Sequence, residues 1–306
     1  MKRLTCYRIA FIIPFLTFFF LAGCSSDSIT PESTSLPVGS YYYHFESANL
    51  RTLDTSNGRY VLWLHILGAP SAMSVPLIDG KYSNDSLVFS GTVKLPVNLD
   101  SLLDDYVKIE PPSSIGLPST PLMTGQFQSD SGFSFLSTTN AEGIGDFSKA
   151  AGSVIFTTKS SDTSRAQQEF YLMKFVNGVP TSSMSNLPSP PVGWLYGLWV
   201  LDSSFYPVHK FFYGWFGNAN SPGSDSSNAE FPFPGGYNPA PLNDPGGTLE
   251  LTLEPDFSIS GNKPAGPSPI ILLSLELRQF IYFNQSIQFQ NVWGTSAPAG
   301  ILKIWR

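Results

Sequence analysis

From Tyr41 onward the chain runs in short apolar and aromatic segments cut by Gly, Pro, Asn and Asp. Segments of four to eight residues with a two-residue alternation and β-branched or aromatic content predict strands. They fall at Tyr41–Phe45, Tyr60–Ile66, Leu87–Phe89, Thr92–Leu95, Thr124–Phe127, Gly132–Phe135, Gly152–Thr158 and Glu169–Phe175. Further on come Ile287–Phe289, Val292–Trp293 and Gly300–Trp305, while the run Phe211–Phe216, too aromatic to sit exposed as a flat patch, reads as either core or a binding surface. Thr248–Glu254 alternates most regularly, with Leu249, Leu251 and Leu253 on one face and Glu250, Thr252 and Glu254 on the other, and Pro255 removes the next ladder donor. Asn57-Gly58, Asp79-Gly80 and Asn177-Gly178 mark tight turns. Asn98–Asp105 predicts a single helical turn capped by Asn98, and Phe147–Ala151 a short turn. Beyond the N-terminal segment no stretch carries a 3.6-residue apolar period, so the fold class is all-β, of sandwich type.

One unit occurs twice. Trp194-Leu195-Tyr196-Gly197-Leu198-Trp199 opens a segment that closes on Glu254-Pro255, and Tyr60-Val61-Leu62-Trp63 opens a looser copy that closes on Ile109-Glu110-Pro111. A Pro- and Leu-rich stretch follows each, at Pro118–Leu122 and Pro267–Leu272. Two tandem β modules follow from this, at 41–178 and 192–306. Val179–Pro191, with four prolines, is the linker between them.

The N-terminus changes the picture of where such a protein works. Lys2, Arg3 and Arg8 precede an apolar run, Ile9–Leu21, that ends Leu21-Ala22-Gly23-Cys24. That run is too short to span a bilayer comfortably, and small residues before a cut site suit signal peptidase. The arrangement resembles the bacterial lipobox, which implies cleavage after residue 23, acylation of Cys24 and a covalent membrane anchor. Residues 24–40, rich in Ser, Thr and Pro, read as a flexible tether. Ser25, where an Asp would favour inner-membrane retention, leans the expectation to the outer membrane. The remaining cysteine, Cys6, lies in the signal peptide, so the mature chain has no disulfide and relies on its apolar core. Its 283 residues suffice, with 42% hydrophobic and 14% aromatic content over the whole sequence. Of 17 Lys and Arg, three leave with the signal peptide; the 14 that remain face 23 Asp and Glu, a net charge of −9. With no basic cluster left, nucleic acid is excluded as a partner class.

Leu187-Pro188, Gly193-Trp194, Tyr196 and Leu198-Trp199-Val200, followed by the strand ending Glu254-Pro255, resemble the extracytoplasmic domain of anti-sigma-K factors. The first module matches that pattern at Tyr60, Trp63, Ile109-Glu110-Pro111 and Pro118–Pro121. The resemblance covers most of 58–305 and implies a sensing or interaction β-sandwich. It does not carry sigma-factor binding with it, because residues 1–24 read as an export signal and no cytoplasmic helical domain precedes the modules.

Candidate chemistry is sparse. His44, His65 and His209 are far apart in sequence and have no Cys partner, so they do not predict a metal site. No Gly-x-Ser-x-Gly elbow and no phosphate-binding glycine loop occur, and no cofactor is predicted. Glu110 and Glu254 are the residue type a glycosidase uses in pairs, but their equivalence in a repeat argues for a repeated structural role, bonding nearby backbone amides. The aromatics carry the functional expectation: Trp194 and the loop residues Phe231, Phe233 and Tyr237 are the candidate ligand-binding set. The sequence therefore reads as a non-enzymatic envelope lipoprotein acting through protein contacts, with glycan or cell-wall polymer binding as the alternative.

Overall fold

The computed structural model describes residues 39–53, 58–83, 86–96, 98–111, 120–128, 132–158, 168–202, 208–217, 235–237, 247–256, 266–277 and 286–306. Strands make up 62% of these residues and helix 4%, so the chain is all-β, as its alternation predicts. No helix among the described residues is long and apolar enough to cross a membrane.

In chain order the strands are β1 (Ser40–Ala48), β2 (Arg59–Ile66), β3 (Met73–Leu77), β4 (Lys81–Ser83), β5 (Ser86–Lys94), β6 (Leu102–Glu110), β7 (Met123–Gln128) and β8 (Phe133–Ser137). They continue with β9 (Ser153–Thr158), β10 (Gln168–Tyr171), β11 (Met173–Val176), β12 (Val179–Ser182), β13 (Trp194–Asp202), β14 (His209–Phe216) and β15 (Gly235–Tyr237). The last are β16 (Gly247–Pro255), β17 (Ile271–Leu277), β18 (Ser286–Gln288), β19 (Gln290–Asn291) and β20 (Ala299–Trp305). A one-turn helix, α1 (Trp293–Ser296), stands where a strand through Trp293 is expected. The helical turn expected after Asn98 is shorter than its sequence suggests: it covers Leu99–Ser101 and gives way at once to β6.

Nine antiparallel strands form the largest sheet, in the order β3-β2-β6-β7-β8-β20-β1-β5-β4. A five-stranded sheet runs β14-β13-β16-β17-β19, a four-stranded one β15-β10-β9-β18, and β11-β12 is a hairpin on its own. That hairpin turns at Asn177-Gly178, both in the left-handed region (φ 51 and 78), as the dipeptide predicts.

Two features depart from a pair of modules set end to end. The C-terminal strand β20, expected in the second module, pairs with β1 on one side and β8 on the other, and so completes the sheet of the first. The expected linker is also built into the fold. Val179–Ser182 is β12, and Ser185 exchanges two backbone hydrogen bonds with Ala151, at 2.8 and 2.9 Å. A single apolar core runs through both large sheets, from Phe45, Leu62 and Val107 to Leu198, Leu251 and Leu302. Exposed ladder edges are costly, and a chain end that carries alternate apolar residues (Leu302, Ile304) fills the gap between β8 and β1.

The repeated unit survives in the backbone register. Tyr60 lies opposite Ile109 and Trp63 opposite Tyr106, while Tyr196 lies opposite Leu253 and Trp199 opposite Glu250. In both copies the Tyr faces the residue before the Glu, and the Trp faces the residue four before it. Strand β16 is nonetheless not half-buried as its alternation suggests. Glu250, Thr252 and Glu254 are buried along with the three leucines, because β16 is flanked by β13 and β17 and its polar face is covered as well.

Candidate functional site

The two strand-end glutamates are structural anchors. In the first copy the Trp63 indole N–H donates to Glu110 Oε1 at 2.9 Å, and in the second the Trp199 indole N–H donates to Glu254 Oε1 at 2.9 Å. Glu254 also accepts the Thr252 hydroxyl at 2.5 Å and the Ser268 backbone N–H at 2.9 and 3.1 Å, the amide contact expected from its repeat position. Burial pushes its carboxyl up to about 7, against the opposing pull of these donors.

The chemistry open to solvent lies on the face of the nine-stranded sheet turned away from the core. Alternation along β2, β6, β8, β20 and β1 sends Trp63 and His65, Asp104 and Tyr106, Phe133 and Phe135, Lys303 and Trp305, and Tyr42 and His44 to that face. The rings associate both across strands and along them. Trp63 stacks on Tyr106 (centroids 6.0 Å apart, planes 11° apart), and Phe133 meets Phe135 edge-on at 4.7 Å. Trp305 lies 5.9 Å from Tyr42. Lys108 Nζ sits 5.7 and 5.5 Å from the Trp63 and Tyr106 ring centres, and Lys303 Nζ 5.6 Å from that of Trp305.

At one end of this face a cavity of about 690 Å³ is bounded by His65, Asp104, Tyr106, Gln126, Phe135 and Glu142. The segment after β8 forms its rim. Asn140 Nδ2 donates to Thr124 O at 2.7 Å and Thr124 Oγ1 donates to Ala141 O at 2.7 Å, which folds 138–142 back over β7. His65 Nδ1 lies 3.3 Å from Asp104 Oδ2. The Tyr106 phenol is held above its usual range, chiefly by burial and then by the charges of Asp104, Glu110 and Glu142. Phe135, 54% exposed, offers a ring to solvent.

Beneath this cavity lies Asp105, fully buried. Ser134 Oγ donates to its Oδ1 at 2.5 Å, while Oδ2 has no hydrogen-bond partner among the described residues. Burial raises this carboxyl to about 7, against the opposing pull of the Ser134 hydroxyl. Gly125, opposite Asp105 in the ladder, leaves the space this side chain occupies.

Trp194 does not serve as a stacking platform. It is 2% exposed, and its indole N–H is spent on Thr120 O at 2.9 Å, because β13 packs into the shared core. Tyr237 lies in β15, whose backbone pairs with β10. Cys24, Phe231 and Phe233 lie outside the described residues, as does most of the tether. The histidines stay apart: His44 Nδ1 contacts Ser90 Oγ at 2.9 Å, His65 sits by Asp104, and His209 is on β14. No group of three or more His, Cys, Asp or Glu close enough to hold a metal occurs among the described residues. The residues that line the open cavity, Tyr106, Gln126, Phe135, Asn140 and Glu142, escape sequence reasoning. The available signal was the recurrence of aromatic residues at outward strand positions. No family model matches this chain, and neither does any curated protein or any solved structure.

Proposed function

We propose that this chain is a non-enzymatic lipoprotein, anchored in the bacterial envelope through Cys24, that binds a glycan on the open face of its nine-stranded sheet. One observation carries the ligand class: the cavity of about 690 Å³ combines solvent-facing rings, Phe135 and Tyr106, with planar polar groups at His65, Asp104, Gln126, Asn140 and Glu142. A sugar presents an apolar ring face and a rim of hydroxyls. Aromatic faces take the first, while carboxylates, amides and imidazole take the second. The anchor rests on Leu21-Ala22-Gly23-Cys24, and Ser25 favours the outer membrane. The likeness to anti-sigma-K extracytoplasmic domains belongs to this proposal too and rests on the repeated Trp–Glu unit. A protein partner is the second reading, favoured by the β11-β12 hairpin, whose tip exposes Phe175, Val176 and Val179.

The anchor is tested by acyl labelling of wild type and Cys24→Ala with membrane fractionation. The proposal expects label and membrane retention in the wild type only; an unlabelled chain that stays in the membrane overturns it. The ligand class is tested by retention on immobilised envelope polysaccharide: Phe135→Ala should weaken it about tenfold, and equal retention of the variant would overturn the reading.

A further inference from the structure

A second cavity, of about 430 Å³, opens where the segment after β1 meets β16, β17 and α1. Leu50, Pro269, Ile271 and Val292 make its apolar part. Its polar part holds two opposite charges, Arg51 and Glu250, with the hydroxyls of Tyr82, Ser274, Thr295 and Ser296 around them.

Glu250 is only 7% exposed, and its Oε2 is buried with no hydrogen-bond partner among the described residues. An uncompensated buried carboxylate is costly, and such groups are normally paired. The natural counter-charge is close by, since the Arg51 guanidinium acts on Glu250 and opposes the upward push that burial gives its carboxyl. Yet no ion pair within 4.0 Å joins the two among the described residues. The two opposite charges thus face one cavity without an ion pair between them.

The walls are held in place. Tyr60 Oη donates to Arg51 O at 2.7 Å, and Tyr82 Oη accepts from Thr52 N at 3.1 Å. Asn49, at a left-handed φ of 59, donates to Ala297 O at 3.0 Å. Across the cavity Ser296 Oγ donates to Ile271 O at 2.6 Å, and Ser274 lies opposite Glu250 in the ladder. The cavity therefore does not depend on a ligand to order its backbone.

We propose that this cavity binds a small zwitterion, an amino acid or short peptide terminus, with its ammonium on Glu250 and its carboxylate on Arg51. A free anion would be repelled by Glu250, and a neutral sugar would leave the buried carboxylate without a counter-charge. An ammonium supplies charge-assisted donors to the orphaned oxygen, and guanidinium matches carboxylate geometry. The volume suits one to three residues rather than a polymer strand. This site is distinct from the glycan face and stands or falls independently of it.

The test is calorimetric titration of the detergent-solubilised full chain with alanyl-alanine, its N-acetyl derivative and its C-terminal amide. Intrinsic tryptophan fluorescence gives a second readout, since Trp199, one of six tryptophans, lies opposite Glu250 in the ladder. The free dipeptide should bind saturably, and capping either end should weaken it about tenfold or more. Glu250→Gln should erase discrimination against the N-acetyl form and Arg51→Ala discrimination against the amide, with melting curves of both variants showing an intact fold. Absence of saturation by about 20 mM dipeptide, or equal binding of the capped forms, overturns the proposal.

Discussion

Replacing Glu254 by Ala is the perturbation whose cost can be worked most fully from the hydrogen bonds around it. Its carboxylate accepts from the Trp199 indole, the Ser268 amide and the Thr252 hydroxyl. The hydroxyl can turn to Gly197 O, 3.3 Å away, so it is not stranded. The indole and the amide are stranded, and both residues are buried. At ~1–3 kcal/mol for each orphaned buried donor, with the lost methylene packing added, the variant should lose about 3–7 kcal/mol. That is a large share of the ~5–15 kcal/mol by which domains are stable. The loss should depend on pH. Burial raises the Glu254 carboxyl from 4.5 to about 7, so its contribution is fully present below the unfolded pKa of 4.5 and declines as pH rises through 7. A shift of that size corresponds to roughly 3 kcal/mol between the two protonation states. Urea unfolding followed by tryptophan fluorescence at pH 5 and pH 8.5 measures both effects. Glu254→Ala should cost most at pH 5 and about 2–3 kcal/mol less at pH 8.5. Glu254→Gln, which keeps an acceptor and cannot ionise, should match wild type at pH 5 and exceed it at pH 8.5. A Glu254→Ala loss under about 1 kcal/mol at pH 5, or one that grows with pH, would refute the reasoning.

Three further outcomes follow from the same structure. Asp105, raised by burial to about 7, loses its stabilising contribution over the same rise in pH, so Asp105→Asn should gain about 1–3 kcal/mol at pH 8.5 and little at pH 5 by urea unfolding. Gly125→Ala would place a Cβ 2.4 Å from Ser134 Oγ and 2.8 Å from Phe135 O, and should lower stability by about 1–3 kcal/mol, read as a drop in Tm. A fragment of residues 41–178 lacks β20 and leaves β1 and β8 with open edges; it should show no cooperative melting by circular dichroism, and addition of a peptide covering 297–306 should restore folded signal.

Much of this fold can be read directly from the residues. The strand at Tyr60–Ile66, the alternation of Thr248–Glu254 and the Asn177-Gly178 hairpin are local events, set by side-chain period and turn chemistry, and they appear where the pattern puts them. The duplication was visible as Tyr-x-x-Trp and Glu-Pro because the indole-to-carboxylate bond constrains both ends of the unit in the same way. Pairing across long separations was not visible. Nothing in Gly300–Trp305 says that its neighbours are β1 and β8, since ladder partners are chosen by closure of the whole sheet. The covered polar face of β16 was hidden for a related reason, as alternation tells which residues share a face but not what lies over it. The open cavity draws His65, Tyr106, Phe135 and Glu142 from four places in the chain, whereas the eye-catching Trp194 belongs to the core.

Sugar binding on the open face of the nine-stranded sheet, as proposed above, is tested by direct titration. The full chain in detergent, as wild type and Phe135→Ala, would be titrated with a hexamer of N-acetylglucosamine and a neutral glucan hexamer. The readout is intrinsic tryptophan fluorescence, to which Trp63, stacked on the cavity residue Tyr106, contributes as one of six tryptophans. Phe135 is mostly exposed, so its loss should spare the fold and act on binding alone. A saturable change is expected with at least one hexamer, weakened about tenfold in Phe135→Ala. Equal binding by the variant, or no saturation with either hexamer by about 10 mM, would contradict it.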